Sequence, residues 1–318
     1  MALPRLGLGC MGMSGTYGRA DEDEAMATID RAIDLGITLL DTADVYSAGE
    51  NERLVGRAIR GRRDEVLVAT KVGNLLEADG TFGGVDGRPE HVMSACTASL
   101  ARLDVETIDL YYLHRADPNV PIEDTIGAMK TLVDQGKLRH IGLSEAGPAT
   151  LRRAHAVHPI AVLQSEYSLW SRDVEGSVLG TCRDLGIAFV AYSPLGRGFL
   201  GGDVGRVDDL ETDDNRRRFP RFQPGNITRN LPIVEGLREV AAAKGCTPAV
   251  LALAWVLSSG GDVTAIPGTR HRRHLEENAL ALQIELDDTD LRRLDEIAPP
   301  GIAAGARYHA AGMRKLDG

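Results

Sequence analysis

No two of Cys10, Cys96, Cys182 and Cys246 have metal-ligand spacing, and no CxxC occurs. That excludes a disulfide framework and a cysteine metal centre as sequence expectations; four thiols of this kind suit buried positions in a reducing compartment. Nor is there a stretch approaching the ~20 apolar residues of a membrane span. The opening "MALPRLGLGCMGM" has no charged region followed by a long apolar core, so a cytoplasmic location is the expectation. Positive charge is the minority sign. Lys and Arg number 36 against 46 Asp and Glu, a net charge of −10. An acidic chain argues against general binding to nucleic acid or anionic membranes, and it obliges any anionic ligand to find a local basic site. What is present is an ordinary globular composition over 318 residues, 43% hydrophobic and 26% charged. Such a length buries a core without staples.

Short apolar runs alternate with amphipathic helical stretches. "RLGLGC", "ITLLDTA", "EVLVATK", "IDLYYLH", "RHIGLS", "AVLQSEYS", "IAFVAYSPL" and "DVTAIPG" read as eight strands. Their apolar character without strict alternation suits parallel strands covered on both faces. Helices are expected between them, including segments near 147–157, 173–185, 230–244 and 247–259. Met26, Ile29 and Ile33 share one helical face, and Pro121 and Gly136 bracket another helix. Eight βα units predict a single-domain α/β fold, a (β/α)8 TIM barrel, with an open doubly wound sheet as the competitor. Residues 199–229, rich in charge, Gly and Pro, predict a long mobile loop, and a C-terminal helix and tail are expected from about 287.

A barrel places its active site at the carboxyl ends of its strands. Those ends carry Asp41, Lys71, His114, Ser144, Gln164, Tyr192 and Gly268, with Tyr46 on the loop after Asp41. Each alone has a structural explanation: a turn cap, a solvated lysine, a satisfied histidine, a loop aromatic. Together Asp41, Tyr46, Lys71 and His114 are chemically complementary. A phenol of pKa ~10 is a weak acid at neutral pH. An ammonium beside it favours phenolate, with an expected lowering of ~1–3 units. Asp41 would hold Lys71 charged, and His114 would direct a substrate oxygen.

The segments "LLDTADVYSAGENE", "LVATK", "IDLYYLHRAD", "IGLSE", "QSEYSL", "AYSPLGRGFL", "TPAVLALAWVL" and "IPGTRHRRHLEEN" together resemble the aldo-keto reductase family over nearly the full chain. The resemblance implies a barrel that binds NADP(H) in extended form and reduces an aldehyde or ketone. It implies Tyr46 as proton donor, Lys71 and Asp41 tuning it, and His114 orienting the carbonyl. It places Tyr192 under the nicotinamide and Ser144 and Gln164 at its carboxamide, with Ser193 and Leu195 also on the cofactor. Two positions depart from the family pattern. Glu145 stands where Asn is common, and His274 where an arginine often falls.

"GRGFLGG" matches GxGxxG at Gly196, Gly198 and Gly201, but no helical periodicity follows, so a Rossmann domain is not expected. The glycines would instead let backbone approach a pyrophosphate, and the family resemblance makes this loop a strap over the cofactor. "GTRHRRHLEEN" supplies the local basic site: Gly268 and Thr269 end a strand, and a helix start with arginines suits a phosphate. By resemblance, Arg270 reads the 2′-phosphate and Glu277 with Asn278 the adenine. Met13, Tyr17, Trp170, Phe219 and Phe222 are candidates for an apolar substrate pocket. His155 and His158 read as a helix-surface pair, and no metal site is expected. Oligomeric state carries no signal in the sequence. Two other functions stay open: a cofactor-binding regulatory protein with little turnover, and a Schiff-base barrel enzyme using Lys71.

Overall fold

The computed structural model describes residues 2–16, 18, 20–77, 82–202, 204–212 and 214–317. Eight parallel strands form one sheet: β1 (Leu8–Gly9), β2 (Leu39–Asp41), β3 (Leu67–Val72), β6 (Ile108–Leu113), β7 (Leu138–Ser144), β8 (Ile160–Glu166), β9 (Ala188–Tyr192) and β10 (Val263–Ile266), hydrogen-bonded in that order. Parallel bridges Leu6↔Ala265 and Gly9↔Gly268 join the first strand to the last and close the barrel. All eight runs read as strands in the sequence are found. A short antiparallel hairpin, β4 (Asn74–Leu76) and β5 (Phe82–Val85), follows β3 and was not expected. Strands of three and four residues in a Gly-rich stretch give no readable alternation.

Helices cover the outside and start where local chemistry allows. The Asp21 carboxylate accepts from the backbone of Asp23 and Glu24 to open Glu22–Asp34. Prolines open Pro89–Leu103, Pro148–Val157, Pro224–Ala243 and Pro248–Ser258 at positions that need no N–H. Between strands and helices lies the larger core, with Leu40, Val68, Tyr111, Leu113, Ile141, Leu163 and Ala191 pointing outward from the barrel. Inside the barrel a smaller core holds Leu39, Ala69, Leu110, Tyr112, Val162, Val190 and Ile266. Both faces of each strand are therefore apolar, which is why the runs do not alternate.

The interval after β9 contains four 3-10 turns, Phe199–Gly201, Val207–Asp209, Asn215–Arg218 and Pro220–Phe222. The helix expected near 230 begins at Pro224, so the irregular stretch is shorter than 199–229. Its early start was hidden because Pro, Gly and Asn occupy its first turn. The tail carries the helix Asp288–Ile297, opened by an Asp287–Asp290 capping box, and a final turn Ala310–Met313.

Candidate active site at the carboxyl end of the barrel

The period-2 geometry of strands assembles this site. Leu39, Ala69, Tyr112, Val162 and Val190 face the barrel interior. Two residues further along each strand the side chain points the same way. Those positions are Asp41, Lys71, His114, Gln164 and Tyr192. The interior thus changes from apolar to polar within one layer, at the end where the strands stop. Lateral register fixes the neighbours: Asp41 pairs with Ala69, Lys71 with Tyr112, Ser144 with Gln164.

The Lys71 ammonium is 1% exposed. Its Nζ donates to Asp41 Oδ1 at 2.5 Å, to the Thr42 carbonyl at 2.8 Å and to the Tyr46 hydroxyl at 3.4 Å. Asp41 Oδ2 accepts from Gln164 Nε2 at 2.7 Å. Tyr46 and His114 meet edge to face, 6.0 Å between centroids. The four residues selected from sequence are therefore brought together. Thr42, which the sequence reading missed, supplies the lysine's third partner through its backbone, where no residue type could signal it.

Electrostatics correct one expectation. Burial raises the Tyr46 phenol more than Lys71 lowers it, so its pKa lies above the ordinary value rather than ~1–3 units below. Burial alone would discharge Lys71, but Asp41 and Tyr46 outweigh it and hold the ammonium above the usual lysine range. His114 falls well below the usual imidazole value through burial, with Arg115 and Lys71 adding repulsion. It is a neutral ring whose Nδ1 has no hydrogen-bond partner among the described residues.

Tyr46 rides on a strained loop. Ser47 and Ala48 both have positive φ, 49° and 53°, which non-glycine residues rarely adopt. A polar latch holds them there. Ser47 Oγ donates to Ser14 O at 2.6 Å, and Asn51 Nδ2 donates to Ser14 Oγ at 2.8 Å and to Cys10 O at 2.9 Å. Thr42 Oγ1 in turn donates to Asn51 Oδ1 at 2.6 Å. Neighbouring Glu52 is fully buried between Thr70 and Arg102, 2.6 and 2.5 Å away.

On the expected cofactor side, Tyr192 is half-buried and its hydroxyl lies 2.8 Å from that of Tyr308. Ser144 accepts from Arg115 Nη1 at 3.1 Å. Gln164 spends one amide hydrogen on Asp41, which leaves its second N–H and its carbonyl oxygen for a carboxamide. Glu145 does not face outward as a ligand group. Its carboxylate is gripped by Arg307 at 3.2 and 2.9 Å and accepts from the Glu166 backbone at 2.9 Å. Buried Glu166 is itself bound by Arg197 and Ser171, at 3.0 and 2.7 Å. Burial raises its carboxyl, and Arg197, Arg307 and Arg221 more than reverse that.

In the strap, Ser193, Gly196, Arg197 and Gly198 all have positive φ, and no α-helix opens at the glycines. Leu195 is half-buried beside them. Gly196 is needed for a reason the motif did not suggest: a Cβ there would lie 2.5 Å from Trp170 Nε1. Trp170 stacks on Phe199 at 4.4 Å and meets Phe222 edge-on at 5.9 Å. Trp170 and Phe222 are thus core packing under the strap, not an open pocket wall. Met13 is likewise buried, on the 3-10 turn Met11–Ser14. Phe219 stays near the mouth, stacked on His309 and under Arg197. Tyr17 lies outside the described residues.

At the basic segment, Arg270 donates to Gly18 O at 3.1 Å, and Arg272 is spent on Glu24 at 2.8 Å. Gly268 sits beside Gly9 at the barrel seam, and Thr269 Oγ1 accepts from the His271 backbone. Glu277 accepts from Thr247 at 2.7 Å with His274 3.7 Å away, and Asn278 is buried. His155 closes its helix by accepting from the Ile160 backbone, with His158 just beyond the helix end.

The sequence model of the aldo/keto reductase family matches residues 5–299. The chain belongs to the aldo/keto reductase family. The curated soybean (Glycine max) protein named "Probable aldo-keto reductase 1" is 48% identical over 307 residues, covering 96% of this chain and 88% of that one. Among solved structures, the glycerol dehydrogenase of Gluconobacter oxydans superposes with a TM-score of 0.85 at 31% identity, covering 94% of this chain and 93% of the other. An aldo/keto reductase of Klebsiella pneumoniae in complex with NADP and acetate gives 0.74 at 31% identity, with 96% and 95% covered.

Proposed function

We propose that this aldo/keto reductase reduces an aldehyde or ketone to an alcohol with NADPH, with Tyr46 donating the proton. The observation that carries the reading is the Asp41–Lys71–Tyr46 relay, 2.5 and 3.4 Å between its members, with neutral His114 beside it. Bound nicotinamide supplies the hydride. Tyr46, half-buried and kept protonated by the loss of water around its hydroxyl, gives its proton to the carbonyl oxygen as negative charge grows there. The phenolate left behind is stabilised by Lys71, which Asp41 keeps charged and Gln164 helps to fix. His114, uncharged, contributes a hydrogen bond without competing as an acid.

The donor set fits the cofactor. Tyr192 offers a half-buried ring, Ser144 and Gln164 stand side by side on neighbouring strands, and Arg270 follows the last strand for a 2′-phosphate. The NADP-bound Klebsiella relative supports that choice. A cytoplasmic location fits the same reading. The Schiff-base alternative is disfavoured because a lysine held above its normal pKa is a poor nucleophile. The regulatory alternative is disfavoured because Asp41, Lys71 and Tyr46 are linked in series and His114 meets Tyr46.

Loss of NADPH absorbance with a simple aromatic aldehyde tests the activity. Tyr46→Phe should bind NADPH as the wild type does, while reduction falls by at least the ~10²–10⁴ of a general acid. Retained turnover would remove Tyr46 from the role.

A further inference from the structure

Arg115 follows His114 directly, and among the described residues no carboxylate lies within salt-bridge distance of it. Its Nη1 donates to His114 O at 2.6 Å and to Ser144 Oγ at 3.1 Å, which uses both hydrogens on that nitrogen. Nε and Nη2 make no hydrogen bond to a described residue. Four other cations there face carboxylates: Lys71 faces Asp41, Arg307 faces Glu145, and Arg197 and Arg221 share Glu166. Glu145 is near enough for its charge to act on Arg115, but Arg307 holds both its oxygens.

A guanidinium that is largely withdrawn from water and lacks a counter-ion is costly to keep. The two free nitrogens lie on one edge of the guanidinium, where their parallel N–H groups match the two oxygens of a carboxylate. The two Nη1 bonds, to the His114 carbonyl and the Ser144 hydroxyl, place the guanidinium at the mouth, and its charge is felt at Tyr46, His114 and Tyr192. On a chain of net charge −10, this is a local attractor for an anion.

We propose that Arg115 is a specificity residue, and that the preferred substrates are carbonyl compounds bearing a carboxylate a short distance from the C=O. This rests on the reductase reading above. Arg115 would grip the carboxylate through Nε and Nη2 while His114, held next to it by the chain, receives the carbonyl oxygen. A keto acid or aldehyde acid would then be drawn to the mouth and oriented by one residue pair.

The test compares 4-carboxybenzaldehyde with its methyl ester, methyl 4-formylbenzoate, in wild type, Arg115→Met and Arg115→Lys. In the wild type the acid should exceed the ester in kcat/KM by about tenfold, mainly through KM, as one charge-assisted contact supplies. In Arg115→Met that ratio should collapse toward one, whatever common factor both substrates lose. Arg115→Lys, a point charge without the fork, should restore part of it. A wild-type ratio at or below one overturns the proposal. So does an unchanged ratio in Arg115→Met, which would make the residue a support for Ser144 and His114 only. If neither aldehyde is reduced, the reductase reading has failed, and calorimetric binding of 4-(hydroxymethyl)benzoate against its methyl ester decides Arg115. Binding of the acid that Arg115→Met abolishes supports the anion site. Equal binding by both proteins sinks it.

Discussion

Arg307 of the tail forks onto Glu145 at the end of β7, its Nη1 3.2 Å from Oε1 and its Nη2 2.9 Å from Oε2. Both side chains are buried, at 9% and 5% exposure. The pair fastens the tail across the mouth, where Tyr308 meets Tyr192 and the Asp317 backbone donates to the Glu145 carbonyl at 3.2 Å. Removing one partner strands the other's charge, at a cost of ~3–5 kcal/mol for a buried pair. Arg307→Met should lower the unfolding midpoint and speed amide exchange in residues 301–317. Adding Glu145→Gln to it should cost less than the two single changes summed. Strict additivity in that double-mutant cycle would show that the two residues are not coupled.

The pH dependence follows from Tyr46. Reduction needs the protonated phenol, and burial holds its pKa above 10 despite Lys71. A raised pKa delays proton loss, so the rate of reduction should stay level through pH 7–9 and fall only beyond about 10. Lys71→Met removes the influence that lowers Tyr46. Its alkaline limb should therefore move to still higher pH, while kcat falls because the phenolate formed in the reaction loses its counter-charge. A pH–kcat profile checks both signs. A wild-type limb below pH 9, or a limb that moves downward in Lys71→Met, contradicts this account.

Cofactor choice is expected to depend on Arg270. Arg272 is already committed to Glu24, and burial and Arg270 lower His271 from its usual value, so it is mostly neutral. Arg270→Ala should weaken NADPH binding by ~10-fold or more, the scale of one charge-assisted contact, and NADH binding much less. Fluorescence titration of the two cofactors reads the difference. Equal weakening would mean that Arg270 does not read the extra phosphate.

Two glycines of one motif should behave differently. Gly196 has φ 56°, and a Cβ there would strike Trp170. Gly196→Ala should destabilise the fold by ~1–3 kcal/mol through strain and overpacking. Gly201 has ordinary φ, and its added Cβ would come no nearer than 3.7 Å to Ala249. Gly201→Ala should be close to neutral. Denaturant midpoints decide it, and equal losses at both positions would refute the packing argument.

The eight strands, the closed barrel and the four relay residues were legible in the sequence because they depend on short-range rules. Strand period places Asp41, Lys71, His114, Gln164 and Tyr192 two positions above inward apolar residues, whatever the rest of the chain does. The short hairpin after β3 and the early helix start at Pro224 escaped because their residues carry weak or contrary local preferences. Tertiary structure alone decided the remainder. Arg307 lies 162 positions from Glu145 and Tyr308 lies 116 from Tyr192, separations over which no periodicity acts. It also decided that burial outweighs Lys71 at the Tyr46 phenol, since the loss of water around a side chain is fixed by every element packed on it. Arg115 stands between the two cases. Its position beside His114 is written in the chain, but that no carboxylate among the described residues pairs with it is a property of the folded mouth.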